Sequence, residues 1–222
     1  MKQCVAAYSN FDAPTDGLGC FDSLFDYGKD AALLTTLDYV DALLLWGGAD
    51  ISPSLYKEQR YFNSGPTEPS PRDIFEWSLI TEAVKNKKPI IGVCRGAQLL
   101  CAYAGGKLVQ DVSGHQISHK ITTHDGKNFL VNSYHHQMMY PYDVEHELLA
   151  FSTIKQSTRY EPEGLEYTSM MRKPSFEEAE VVYFPEINGF AIQCHPEWHT
   201  KDTPFNQWVL EQIISFCFKE CK

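Results

Sequence analysis

Two short segments of the chain are almost continuously apolar. Tyr39–Trp46 contains one such run and ends at Gly47-Gly48, and Pro89–Val93 leads directly into Cys94. Runs of this kind are typical of strands that are buried on both faces of a parallel sheet. A chain that contains them needs other elements to cover both sides of that sheet.

Helical patterns follow these apolar segments. Ser70-Pro71-Arg72-Asp73 has the residues of a helix start, with a capping serine, a proline in the first turn and an acid three residues after the cap. The residues after Cys94 and after Thr203-Pro204 also repeat at helical spacing. The alternation of strands and helices predicts an α/β protein, a three-layer αβα sandwich with a mostly parallel central sheet. We expect one domain that spans residues 1–222.

Two further segments give local predictions. Asn188-Gly189 lies between two apolar runs, and this dipeptide predicts a β-hairpin. The segment Asn10–Lys29 is rich in glycine, aspartate and phenylalanine, which predicts a loop with one helical turn.

Composition and charge narrow the class of protein. The 222 residues carry a formal net charge of −10, which disfavours binding to nucleic acids or to anionic membranes. No stretch approaches the roughly 20 apolar residues that span a bilayer, and Met1–Asn10 lacks the pattern of a signal peptide. The seven cysteines are odd in number and irregularly spaced. These features favour a cytoplasmic protein with reduced thiols, most of which fill the core.

The segment Gly92-Val93-Cys94-Arg95-Gly96 lies between a predicted strand and a predicted helix, as a nucleophile elbow does. The helix dipole and the unpaired N–H groups at a helix start favour a thiolate and bind a developing oxyanion. A lone cysteine is more often a simple core residue. The flanking glycines and the change from strand to helix favour the nucleophile instead.

A general base for Cys94 is offered by His195-Pro196-Glu197, which follows the apolar strand Phe190–Cys194. Side chains at the carboxyl end of such a strand lie where ligands bind in open α/β sheets. His195 is predicted to take the thiol proton and to pass it to the leaving group. Glu197 is predicted to orient the imidazole and to stabilise its charged form.

Five segments form an ordered set of motifs that resembles the class I glutamine amidotransferases, and most closely their γ-glutamyl-γ-aminobutyrate hydrolase (peptidase C26) branch. In chain order they are Gly47–Tyr56 (GGADISPSLY), Arg72–Ile80 (RDIFEWSLI), Cys94–Gln98 (CRGAQ) with Gly105-Gly106 and Gln110-Asp111-Val112, Val131–Gln137 (VNSYHHQ), and Gln193–Trp198 (QCHPEW). The resemblance implies a flavodoxin-like fold. It also implies a cysteine hydrolase that cleaves a γ-glutamyl amide through a glutamyl thioester and releases glutamate.

The resemblance also assigns residues. Cys94, His195 and Glu197 become a catalytic triad, and the backbone N–H groups of Gly48 and Arg95 become the oxyanion hole. The expected contacts to the glutamyl end of a small-molecule substrate come from three residues: Gln98, His136 and Gln137.

One segment departs from the family pattern. Residues 156–180 stand where a short turn is usual, and they contain a basic and aromatic group: Arg159, Tyr160, Arg172 and Lys173. This segment either shapes the pocket for the leaving amine or forms a solvated surface loop. The identity of the leaving amine is therefore not predicted.

Three alternatives to a free-standing hydrolase are compatible with parts of the sequence. A glutaminase subunit that supplies ammonia to a separate synthase chain is the first, and a regulatory binding protein without activity is the second. A zinc site is the third, because several histidines lie in two segments, namely His115, His119, His124, His135 and His136. No carboxylate or cysteine accompanies them at helical ligand spacing, and the family motif accounts for His135-His136-Gln137, so we predict no metal. We expect no cofactor either.

Overall fold

The centre of the molecule is a nine-stranded sheet in the order β2-β1-β3-β4-β13-β12-β10-β7-β8. The computed structural model describes residues 4–12, 19–31, 34, 36–61, 65–157, 160–161, 175–198 and 203–218. The strands of the sheet are β1 (Cys4–Tyr8), β2 (Phe25–Asp30), β3 (Ala42–Leu45), β4 (Ile90–Val93), β7 (His119–Thr123), β8 (Asn128–Val131), β10 (Glu147–Ser152), β12 (Ala179–Phe184) and β13 (Gly189–Ile192). Two small ribbons pair β5 (Lys107–Val109) with β9 (Met138–Tyr140), and β6 (Asp111–Val112) with β11 (Tyr160–Glu161).

The sheet has a parallel half and an antiparallel half. Strands β2, β1, β3, β4 and β13 pair in parallel, and the pairings from β13 through β12, β10 and β7 to β8 are antiparallel. The α/β prediction is confirmed, and the parallel half carries both apolar segments from which it was made. The whole sheet is mixed.

In the described part of the chain, three α-helices cover the two faces of the sheet: α1 (Pro71–Lys85), α2 (Arg95–Tyr103) and α3 (Pro204–Cys217). Successive side chains of a strand point to opposite faces. Leu43 of β3 accordingly packs in the cluster that includes residues of α1 and α2, and Leu44 packs in the cluster that includes residues of α3. Each such buried leucine contributes about 2 kcal/mol to folding. The chain therefore forms the three predicted layers.

Local signals set the start of α1 and the turn before β13. Ser70 caps α1, since its hydroxyl accepts from the backbone N–H of Asp73 at 3.1 Å and the Asp73 carboxylate accepts from the N–H of Ser70 at 2.9 Å. Asn188 has a φ of 47°, and the strands β12 and β13 on either side of its turn are antiparallel neighbours. Both predictions are confirmed.

The prediction for Asn10–Lys29 was wrong in part, because β2 lies at its end. This strand is at the edge of the sheet and pairs in parallel with β1. Phe25 is buried while Asp26 is exposed, so the strand lacks a continuous apolar run. Edge strands tolerate charged residues, so β2 could not be recognised by an apolar run in the sequence.

Among the described residues, no helix combines the length and the apolar character needed to cross a membrane.

Candidate active site

Cys94 occupies the sharp turn between β4 and α2. Its φ of 51° and ψ of −106° lie in a region that residues with a side chain rarely adopt. The turn is held by the Cys94 N–H, which donates to the carbonyl of Ile192 at 2.7 Å. A Cβ added at Gly92 would lie 2.5 Å from the backbone of Gly96, and one added at Gly96 would collide with the carbonyl of Leu45. The two glycines of the elbow are thus required by close backbone contact.

His195 and Glu197 follow β13 and lie beside this turn. Nδ1 of His195 is 2.7 Å from Oε1 of Glu197. Because a carboxylate accepts, Nδ1 carries the hydrogen and Nε2 is left to exchange a proton. Burial lowers the pKa of His195, but hydrogen bonds to Cys94 and Glu197 outweigh it and raise the pKa to about 9. The structure therefore brings the three residues of the predicted triad together.

Two residues with no predicted role hold His195 in place. The side chain of Asn132 accepts from the His195 N–H at 2.8 Å and donates to the His195 carbonyl at 2.7 Å. The indole of Trp198 stacks on the imidazole, with ring centroids 3.8 Å apart and planes 6° from parallel. Both residues belong to the motifs quoted above, but only the fold reveals what they contact.

A buried network of charges fixes the elbow to α1. The guanidinium of Arg95, which is 1% exposed, donates to the carboxylates of Asp73 and Glu76. Nε of Arg72 donates to the same Glu76 at 3.1 Å. Charge-assisted hydrogen bonds of this kind are stronger than neutral ones and restrict geometry. The side chain of Arg95 is thus structural, and only its backbone N–H remains a candidate for the oxyanion hole.

Arg72 also orients the Gly47-Gly48 peptide. Its Nη2 donates to the carbonyl of Trp46 at 3.0 Å and to that of Gly47 at 2.9 Å. In a trans peptide the carbonyl of Gly47 and the N–H of Gly48 point in opposite directions, so Arg72 sets the direction of that N–H.

A Cβ at Gly47 would lie 2.8 Å from Cε1 of His195 and 3.5 Å from Cβ of Cys94. The end of β3 therefore packs directly against the triad.

The three residues predicted to bind the glutamyl end lie in two settings. Nε2 of Gln98 donates to the backbone carbonyl of Gln137 at 2.9 Å. The side-chain amide of Gln137 is buried and has no hydrogen-bond partner among the described residues. His136 is partly exposed, with Nε2 2.8 Å from Asp50 and Nδ1 3.4 Å from Asp111. The hydrogen bond to Asp50 raises the pKa of His136. The side chain of His136 thus contacts the two carboxylates, whereas Gln98 contacts the backbone of Gln137.

Of the basic and aromatic group in residues 156–180, the structure describes only Tyr160. Arg159, Arg172 and Lys173 lie outside the described residues. The hydroxyl of Tyr160 donates to Oε1 of Glu178 at 2.6 Å, so it is engaged within the protein.

Cys20, Cys101 and Cys194 are also buried in the core. Burial raises the pKa of Cys20 and Cys101 to about 12, and it raises the pKa of Cys194 well above its ordinary value. These three are protonated core thiols at neutral pH.

The chain is similar to several known proteins in sequence and in fold. The chain is 43% identical over 196 residues to YvdE of Lactococcus lactis, a glutamine amidotransferase-like protein, covering 79% of this chain and 73% of that one. It is 24% identical over 213 residues to the gamma-glutamyl-gamma-aminobutyrate hydrolase of Escherichia coli O157:H7, covering 82% and 73% of the two chains. A glutamine amidotransferase of Thermotoga maritima shares the fold with a TM-score of 0.56 at 17% identity, over 95% of this chain and 81% of that one. The profile of the peptidase C26 family matches residues 24–197, and the chain belongs to that family.

Proposed function

We propose that this protein is a cysteine hydrolase that cleaves the γ-glutamyl amide bond of a small γ-glutamyl amine and releases glutamate. The observation that carries the proposal is Cys94 at a strained turn, next to His195, which Glu197 orients. A nucleophile, a base and a group that orients the base are the three parts that this chemistry requires. Membership of the peptidase C26 family supports the same class of reaction.

The first half of the reaction forms a thioester. With a pKa of about 9, His195 holds its proton at neutral pH, and the imidazolium stabilises a Cys94 thiolate. The thiolate attacks the γ-carbonyl carbon, and the backbone N–H groups of Gly48 and Arg95 donate to the oxyanion. When the C–N bond breaks, the proton of His195 passes to the departing amine, and a glutamyl thioester remains on Cys94.

The second half hydrolyses the thioester. His195 is now neutral and takes a proton from water, which attacks the same carbonyl carbon. The C–S bond breaks, glutamate leaves, and the Cys94 and His195 ion pair is restored. The tight packing of Gly47 against both side chains supports a fixed geometry through both halves.

The glutamyl end of the substrate would be bound between α2 and the segment that precedes β9. The buried side-chain amide of Gln137 has no hydrogen-bond partner in the part of the chain that the structure describes, and a buried polar group in that state gains free energy when a ligand pairs with it. Gln98 holds the backbone of Gln137 in place. Since the side chain of His136 is bound to Asp50 and Asp111, His136 would contribute through its backbone.

The test is glutamate release by the purified protein from glutamine and from a panel of γ-glutamyl amines. We expect release from at least one γ-glutamyl amine, its loss in Cys94→Ala, and its retention in Cys217→Ala, which removes a thiol from α3. The panel identifies the leaving amine. No release from any compound would refute the hydrolase. Release from glutamine alone, increased by a cell extract, would instead assign the ammonia-supplying subunit of a synthase.

A further inference from the structure

A second cluster of chemically active side chains lies apart from Cys94, on the antiparallel half of the sheet. His119 begins β7, His115 precedes it, and Glu180 lies on β12. One nitrogen from each histidine and one oxygen of Glu180 lie within 4.8 Å of one another. All three residues are buried, with at most 4% of any of them exposed. The sequence did not reveal this group, because the carboxylate is 61 positions from His119.

In its neutral form, His119 would direct the lone pair of Nε2 at a carboxylate oxygen of Glu180. Nδ1 of His119 is 3.2 Å from the carbonyl oxygen of Ile117. A carbonyl can only accept, so Nδ1 carries a hydrogen, and the neutral ring has a lone pair on Nε2. That Nε2 lies 2.6 Å from Oε1 of Glu180. Two such atoms repel each other unless a cation offsets the repulsion. That cation is either a proton shared between them or a metal ion bound to both, which would move them to about 3.3 Å from each other.

The cluster also contains polar atoms whose bonding is incomplete. Both ring nitrogens of His115 and Oε2 of Glu180 are buried and have no hydrogen-bond partner among the described residues. Nε2 of His115 is 3.2 Å from Oε2 of Glu178 but is not aligned as a hydrogen bond. Nδ1 of His115 is 3.7 Å from Oε1 of Glu180, which is too long for one. Leaving such groups unpaired costs about 1–3 kcal/mol each. A single proton on His119 would satisfy Oε1 of Glu180 and none of these atoms.

We propose that His115, His119 and Glu180 form a buried site for a divalent transition-metal ion of the Zn²⁺ type. Two imidazole nitrogens and one carboxylate oxygen are ligands that such ions prefer, whereas Ca²⁺ and Mg²⁺ prefer oxygen alone. The Ile117 carbonyl orients His119 from its far side, as second-shell groups do at metal sites. A divalent cation would also offset the buried charge of the neighbouring Glu178 carboxylate, which accepts bonds from Tyr160 and from two backbone N–H groups.

The site would stabilise two walls of the candidate active site. The backbone carbonyl of Glu180 accepts from the N–H of Gln193, two residues before His195. The carbonyl of His115 accepts from the N–H of His135 and from the hydroxyl of Ser133, within the segment that carries Asn132 and Gln137. A metal ion that joins His115 to Glu180 would therefore link that segment to the strand of the base. Its role would be structural, and it does not depend on the proposed function.

The experiment measures metal content and thermal unfolding of the full-length protein, produced without a histidine tag. We expect about one equivalent of Zn²⁺ per chain by elemental analysis. Removal by a chelator should lower the Tm by several degrees, and one equivalent of Zn²⁺ should restore it. Because Cys94 and His195 are a second potential place for Zn²⁺, the same measurements are made in Cys94→Ala. Retention of the metal there assigns it to the histidine cluster.

Matched variants and a spectroscopic probe complete the test. Glu180→Gln and His119→Gln should lose the metal and the response of the Tm to Zn²⁺, while His146→Gln, outside the cluster, should keep both. If the first two variants do not fold, Co²⁺ added to the metal-free Cys94→Ala protein still gives a visible absorption band for a site of nitrogen and oxygen ligands. A protein that retains no metal and whose Tm responds to neither chelator nor Zn²⁺ would overturn the proposal. The cluster would then be a His119 imidazolium paired with Glu180.

Discussion

The contact between His195 and Glu197 controls when the candidate base is protonated. Glu197→Gln removes the charge that accepts from Nδ1, and the pKa of His195 should fall from about 9. Since His195 must hold a proton to release the amine, the alkaline limb of the kcat/KM profile should move to lower pH. We also expect kcat/KM to fall about 10²-fold or more. Steady-state rates between pH 6 and 10 test this, and a limb at the wild-type position would contradict it.

The candidate catalytic residues could be predicted from the sequence, whereas the residues that hold them in position could not. Cys94 stands in a local pattern of strand, glycines and helix, and His195 and Glu197 are two positions apart. Asn132 contacts His195 across 63 positions, so no local pattern shows that contact. The side chain of Arg95 is another example, because its buried partners lie on a different helix.

At the scale of elements, the elbow depends on how closely α2 approaches β3. Gly96→Ala would place a methyl group against the backbone carbonyl of Leu45, which cannot move without shifting the strand. We expect a loss of about 2 kcal/mol or more in the free energy of unfolding. Gly126→Ala is the control, since its Cβ would meet nothing within 4 Å and its φ of 83° costs only about 1 kcal/mol. Urea unfolding compares the two, and equal losses would contradict the argument.

Elements were predictable where the sequence pattern is local and strong. The capping box of α1 and the apolar runs of β3 and β4 are of this kind. The antiparallel strands were harder, because β7 alternates buried and exposed residues and pairs with β10, which is remote in sequence. Their register depends on contacts with the whole sheet, and a single segment carries little of that information.

For the whole molecule, the raised pKa of His195 couples folding to pH. A group whose folded pKa exceeds its unfolded value binds protons more tightly in the native state. Its contribution to stability is therefore complete below about 6.5, the unfolded pKa, and is lost as pH rises through about 9. In the wild type a Cys94 thiolate releases a proton on folding and offsets the proton that His195 binds, so the comparison is made without that thiol. Because Glu197 still raises the pKa of His195, we expect the free energy of unfolding to decrease between pH 6.5 and 9 more steeply in Cys94→Ala than in Cys94→Ala/His195→Gln. Urea unfolding at several pH values measures both slopes, and equal slopes would refute the coupling.

The stacking of Trp198 on His195 has an optical consequence. The indole lies 3.8 Å from the imidazole and nearly parallel to it, and Trp198 is 57% exposed. An imidazolium quenches the emission of an excited indole at such a distance more strongly than a neutral imidazole does. The fluorescence of Trp198 should thus report the proton on His195. When the amine departs and takes that proton, the protein would brighten, and it would dim again as each thioester is hydrolysed.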